Sequence, residues 1–216
     1  MTLVALIASL ALAQNAAGEA TSTTTYLTLY QVLSPVQGIG AYDHLVAIER
    51  VESKMPDVRP QDIRIVIHAR QGAIPVPVAA TGEVKFPVTD ALRAENPPVE
   101  TNQPKGSLAL IVNVALKVAD HARVPWAEIE AGLTQVKAFY AETQGAAAPA
   151  IDGVEAHFTA GTAAMLTIEG KNERLLMADP EGRIIVTRDM AHESAAPVLV
   201  FSRAPEFIVP YSDQKK

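Results

Sequence analysis

Strand-length apolar runs recur from residue 45 to residue 210, and a single stretch breaks that rhythm with helical spacing. Ile63, Ile65, Ile67 and Ala69 alternate with Arg64, Val66, His68 and Arg70, the period of two of a half-buried strand. Leu108 to Leu116 is apolar on both faces, which predicts a central strand. Leu45–Val51, Ile74–Val78, Glu83–Phe86, Ala164–Glu169, Arg174–Met177, Arg183–Val186, Val198–Phe201 and Phe207–Val209 read as further strands between turn residues. Gly82 predicts a turn of positive φ, Asp179-Pro180-Glu181-Gly182 another, and Pro75 and Pro77 place their strand at an edge.

The exception is Pro125 to Glu142. Trp126, Ile129, Leu133, Val136 and Tyr140 recur every three or four residues, one apolar stripe along a helix. Gly145 ends it and Ala146–Ala150 reads as a linker. Two shorter helical pieces are expected at Tyr26–Val32 and Thr89–Glu95, the second stopped by Asn96-Pro97-Pro98. The pattern predicts an α+β fold of mostly antiparallel β-units with one long amphipathic helix packed on a sheet.

An echo at a spacing of about one hundred runs through the chain. Gly82 falls on Gly182, Val84 on Ile184 and Phe86 on Val186. After a one-residue slip Asp90 meets Asp189, Pro98 meets Pro197 and Val99 meets Val198; Leu108 then meets Ile208. Upstream, Ile65 and Ile67 fall opposite Met165 and Thr167. Two readings fit: an internal duplication, or two β-meanders with similar grammar. The expected boundaries are a first β-rich unit over 26–124, a bridging helix over 125–145, a linker over 146–153 and a second β-rich unit over 154–216.

The N-terminus carries an address. Leu3–Ala13 (LVALIASLALA) is apolar except for Ser9 and ends in Ala11-Leu12-Ala13, the small-x-small pattern cut by a signal peptidase. It is shorter than the roughly 20 residues of a membrane-spanning helix. Residues 1–13 are read as a signal peptide and 14–25, with its run of threonines, as a flexible tether. The protein is expected in the periplasm or outside the cell, with no membrane span after the leader is removed. The chain has no cysteine, which excludes disulfides, thiolate nucleophiles and Cys-ligated metals. A net charge of −6 without a Lys/Arg block leaves no electrostatic footprint for nucleic acid.

Motifs that would name a reaction are missing. There is no Gly-x-Ser-x-Gly elbow, no phosphate-binding loop and no His-Glu-x-x-His, and Gly38-Ile39-Gly40 lacks the third glycine of a dinucleotide site. His44, His68, His121, His157 and His192 show no metal-ligand spacing, although His68 and His157 on facing strands could meet. Asp90, Glu95, Glu100 and Asp189 are candidate paired carboxylates for a glycosidase, against the plainer reading of solvated surface charge. The most site-like segment is the polar, proline-stiffened Glu95–Ser107, in which Glu95, Asn96, Asn102, Gln103 and Lys105 could hydrogen-bond a ligand. Asn in such a segment equally serves its own backbone. Trp126 could stack on a sugar, but its place on the helix stripe predicts core packing.

Certain combinations of residues carry a resemblance. They are Thr81-Gly82-Glu83-Val84-Lys85-Phe86-Pro87, Leu92-Arg93-Ala94-Glu95-Asn96-Pro97 and Asn102-Gln103-Pro104-Lys105-Gly106-Ser107-Leu108, with Asp179-Pro180-Glu181-Gly182-Arg183-Ile184 and Ser202-Arg203-Ala204-Pro205. Across Tyr26–Tyr211 the chain resembles a family of exported proteobacterial proteins classed as a domain of unknown function. The resemblance implies a periplasmic or secreted location and no activity or catalytic residues. The expectation is an exported cell-envelope protein with a binding or structural role, needing no cofactor or metal, whose partner is an envelope protein or a small ligand. The alternative is a periplasmic hydrolase acting on an envelope polymer.

Overall fold

The computed structural model describes residues 8–9, 21–145, 148–170, 173–193 and 196–213. It is an α+β fold whose named strand pairs are antiparallel. The chain divides into two compact units. The first comprises Ala5–Gly38 and Ala47–Asn113; the second comprises Ile39–Val46 and Val114–Lys216 with Met1–Val4. The division thus falls between Val46 and Ala47 and again between Asn113 and Val114, and the helix that begins at Trp126 belongs with the C-terminal elements.

Apart from Ala8–Ser9, the expected leader lies outside the described residues. Those two residues form a short strand, β1, opposite Leu110 and Ala109. Ser22–Thr25, expected as part of a tether, is instead strand β2. Threonine is β-branched and favours extended backbone, and pairing with β6 (Pro98–Thr101) supplies the ladder that makes it a strand.

In the first unit a four-stranded sheet has the order β2-β6-β4-β5, with β4 at Ile65–Ala69, β5 at Gly72–Val76 and β6 at Pro98–Thr101. The proline-bearing β5 is at the edge, where a missing N–H costs no ladder bond. Helix α1 (Tyr26–Leu33) leaves β2 directly, its first N–H donating to Pro97 C=O at 2.9 Å. Tyr26, Leu29, Val32 and Leu33 bury one face of it. Helix α2 (Asp90–Glu95) starts on Thr89, whose Oγ1 accepts the Leu92 N–H at 3.2 Å, and ends on Asn96 at φ 50°. Both ends are chemically specified: a hydroxyl takes up a free N–H, and Asn tolerates the left-handed conformation.

Strands β3 (Leu45–Ser53) and β7 (Leu108–Leu116) are the long ones, and β7 lies between β1 and β3. Lys117 N–H donates to His44 C=O at one end of the β3–β7 pair and Lys54 N–H to Ser107 C=O at the other, an antiparallel register. Val51, Ile65, Ile67, Phe86, Val99 and Leu108 meet in the core of the first unit.

In the second unit the order β11-β10-β13-β8 forms one sheet and β12-β9-β14 another. The strands are β8 (Arg123–Pro125), β9 (Gly153–His157), β10 (Met165–Glu169), β11 (Arg174–Met177), β12 (Arg183–Thr187), β13 (Val198–Phe201) and β14 (Phe207–Tyr211). Helix α3 spans Trp126–Gln144 and buries Trp126, Ile129, Leu133, Val136, Phe139 and Tyr140. Gly132 lets it approach β7, since a Cβ there would lie 2.9 Å from a Leu116 methyl. Helix α4 (Arg188–His192) starts on Thr187.

Turn glycines fix the path between layers. Gly182 has φ +79°, and a Cβ on it would lie 2.4 Å from the Phe158 carbonyl oxygen. Gly106 has a similar φ of +77° with open space around it. Gly182→Ala is therefore expected to cost about 2–4 kcal/mol, strain plus clash, while Gly106→Ala costs about 1 kcal/mol. Urea unfolding of the two variants, side by side, measures the difference.

Candidate functional site

The proline-stiffened segment is not one loop, because β6 runs through its middle. Several of its amides and carboxylates serve the backbone. Asn96 Oδ1 accepts the Leu27 N–H at 2.8 Å, tying the end of α2 to the start of α1. Glu95 Oε1 accepts the Arg70 N–H. Asn102 accepts the Arg64 N–H at 2.8 Å and donates to Asp62 C=O at 2.8 Å. Gln103 is buried; its Nε2 donates to Asn102 Oδ1 at 3.3 Å and its backbone C=O accepts the Ser22 hydroxyl. Lys105 is exposed. Glu95 and Asn96 thus fix the end of α2, while Asn102 and Gln103 fix the chain beyond β6.

The histidines are engaged separately. His68 Nε2 lies 3.0 Å from Glu100, His157 Nε2 lies 2.8 Å from Glu155, and His192 Nε2 lies 3.7 Å from Glu130. His121 Nδ1 faces Pro205 C=O at 3.3 Å. Among the described residues no three His, Asp or Glu side chains gather as a metal-ligand set. Glu155 is buried beside an imidazole that stacks on Phe207 at 4.6 Å. Asp90 and Asp189 each sit in the first turn of a short helix, where the dipole favours a carboxylate. Trp126 is buried, and its Nε1 donates to Glu130 Oε1 at 3.0 Å.

Displaced titrations have structural causes. Hydrogen bonds from Arg59 hold Asp62 below the ordinary carboxylate range, and those from Arg123 do the same for Glu169. At Asp179 burial pushes the pKa up, but the Arg183 N–H and guanidinium outweigh it and the net shift is downward. Burial alone pushes the Tyr140 phenol up to about 12.

A different feature is site-like. In the core of the first unit an apolar cavity is lined by Thr24, Leu29, Val51, Ile65, Phe86, Val99, Thr101, Leu108 and Leu110. The space between its lining atoms, mouth included, is about 380 Å³. Thr101 is 5 % exposed, and its Oγ1 has no hydrogen-bond partner among the described residues. None of the lining residues is titratable, so the arrangement can hold an apolar group but cannot move a proton. Sequence reasoning missed every one of these residues as a site, since the hollow is defined by atoms that are absent.

No protein-family model, curated protein or solved structure matches this chain. Among the described residues no helix is long and apolar enough to cross a membrane.

Two measurements test these assignments. Thr101→Val keeps the side-chain shape and removes the unpartnered hydroxyl; it is expected to raise unfolding stability by about 1 kcal/mol in urea titrations. Asp179 is charged in the fold at a pH where the unfolded chain would protonate it. Its contribution is present above the ordinary aspartate pKa of about 4 and fades as pH falls through the lower folded value. Asp179→Asn should be the less stable protein at pH 7, with a gap that narrows below about pH 4.

Proposed function

We propose that this chain is an exported cell-envelope protein with a binding role, built from two copies of one β-unit. What supports the duplication is register rather than identity. The orders β2-β6-β4-β5 and β8-β13-β10-β11 are the same arrangement met in the same sequence of elements. Thr25 pairs with Pro98 and Pro125 with Val198; Ile65 pairs with Thr101 and Leu166 with Phe201; Ile65 pairs with Val76 and Leu166 with Leu176. The helix after the first strand begins alike: Tyr26 N–H donates to Pro97 C=O and Trp126 N–H to Pro197 C=O, both at 2.9 Å. The glycine turns agree too, Val51 N–H donating to Gly82 C=O at 2.9 Å and Phe158 N–H to Gly182 C=O at 2.8 Å. This register sets Ile65 against Leu166 and Val99 against Leu199, one residue away from the spacing of the sequence echo.

Export is supported by the Leu3–Ala13 run. The binding role rests on one observation, the apolar cavity in the first unit and its lining without a titratable group. Such a lining can select a ligand by shape and exclusion of water but offers no acid, base or nucleophile. Catalysis on an envelope polymer would need one.

Fractionation and extraction test both parts. Mass spectrometry of the periplasmic fraction should find a chain starting near Gln14; an intact N-terminus on cytosolic material would overturn the placement. Solvent extraction of the purified protein should release a small apolar molecule in near-stoichiometric amount. Release of soluble fragments from purified envelope polymer would instead favour the hydrolase.

A further inference from the structure

The two units differ at the point where the cavity forms. By strand register Thr101 corresponds to Phe201, since each occupies the same position between its two neighbouring strands. By the glycine-turn hydrogen bonds Val51 corresponds to Phe158. Phe158 and Phe201 are both buried, their rings 6.1 Å apart and tilted by 56°. Val51 and Thr101 both line the cavity. At these two positions the second unit sets aromatic rings and the first a short aliphatic and a hydroxyl, while Phe86 lines the cavity where the second unit has Val186.

Resting on the binding reading above, we propose that this hollow is a site for a short, straight-chain aliphatic molecule carrying one uncharged oxygen function, a linear alkanol being its simplest form. The lining fixes the chain chemistry: Leu29, Val51, Ile65, Val99, Leu108 and Leu110 offer methyl groups. The size limits the ligand. Room for the centre of a water molecule amounts to about 30 Å³. A flexible methylene chain adapts to so small a space more readily than a rigid saturated ring. Thr101 Oγ1 fixes the oxygen, because a buried hydroxyl without a partner gains a hydrogen bond when the ligand supplies one. The oxygen is uncharged because no lining residue is cationic, and an unpaired ion in an apolar core is strongly disfavoured.

The test titrates the full chain with 1-hexanol, n-hexane and cyclohexanol, reading methyl NMR shifts and Tm. 1-Hexanol should shift the methyl resonances of Val51, Leu108 and Leu110. At about ten times its Kd it should raise Tm by about 3–5 °C. n-Hexane should bind roughly three- to tenfold more weakly, for want of the hydrogen bond. Cyclohexanol should leave the spectrum unchanged. Thr101→Phe, which carries the side chain of the corresponding position, should abolish the 1-hexanol shifts. Its own Tm should match or exceed that of the parent. If that variant does not fold, Val51→Phe serves the same purpose. Thr101→Val should still take up n-hexane while losing the preference for the alcohol. Unchanged methyl shifts with 1-hexanol, or equal shifts in the filled variants, would overturn the site. If 1-hexanol fails while solvent extraction yields another apolar molecule, the ligand class is wrong and the binding role stands. If both fail, the binding role falls with it.

Discussion

In each unit the chain crosses from one β-layer to the other at a glycine turn held against a neighbouring strand. Gly82 has φ +84°, and a Cβ on it would lie 2.8 Å from the Val51 carbonyl oxygen; at Gly182 the same clash falls on Phe158. The turn's own carbonyl accepts the N–H of that same residue. A side chain is thus excluded twice, by backbone conformation and by lack of space, while the hydrogen bond sets how the strands after the turn align. Every core contact between the layers inherits that alignment. The two turns thus impose the same local alignment in both units although the side chains around them differ.

The two units differ in how their helices meet. Helices α1 and α2 meet through the Arg93 guanidinium over the Tyr30 ring at 5.0 Å. Helices α3 and α4 meet through the Glu130–Arg188 ion pair at 3.0 Å. One contact uses a ring face and the other a carboxylate, and each satisfies a cation on a short helix. The sheet edges differ in the same way. β5 carries Pro75 where β11 carries Leu175, and Leu175 and Met177 are exposed. Proline removes a donor from an edge strand and discourages further pairing, a device that β11 lacks.

Much of the fold was legible because long periodic segments report their own burial. The alternation over β4, the two-sided apolarity of β7 and the three-and-four spacing of α3 each follow from what a strand or helix must bury. Strands β2, β6, β8 and β9 carry no strand signal of their own in the sequence. β2 is polar threonine whose strand character comes from its partner, and β8 is three residues long. β9 begins with Gly153, needed because a Cβ would meet the Val186 carbonyl, and carries the buried Glu155. Asn96 and Asn102 in the Glu95–Ser107 segment bond to backbone groups distant in sequence, which no local pattern reveals. The cavity was further from reach. The sequence echo slips by one residue around Pro98, which sets Val200, not Phe201, opposite Thr101 and hides one of the two differences that mark the hollow.

That difference bears on why the hollow persists. Thr101 leaves a buried hydroxyl without a partner among the described residues, a cost of about 1–3 kcal/mol, and forgoes the dispersion contacts a larger apolar side chain would make there. Local departures from good packing that a fold demonstrably could avoid are concentrated at functional sites. The hollow in the first unit is thus lined by methyl groups, the Phe86 ring and two threonines, of which Thr101 carries a buried hydroxyl without a partner among the described residues.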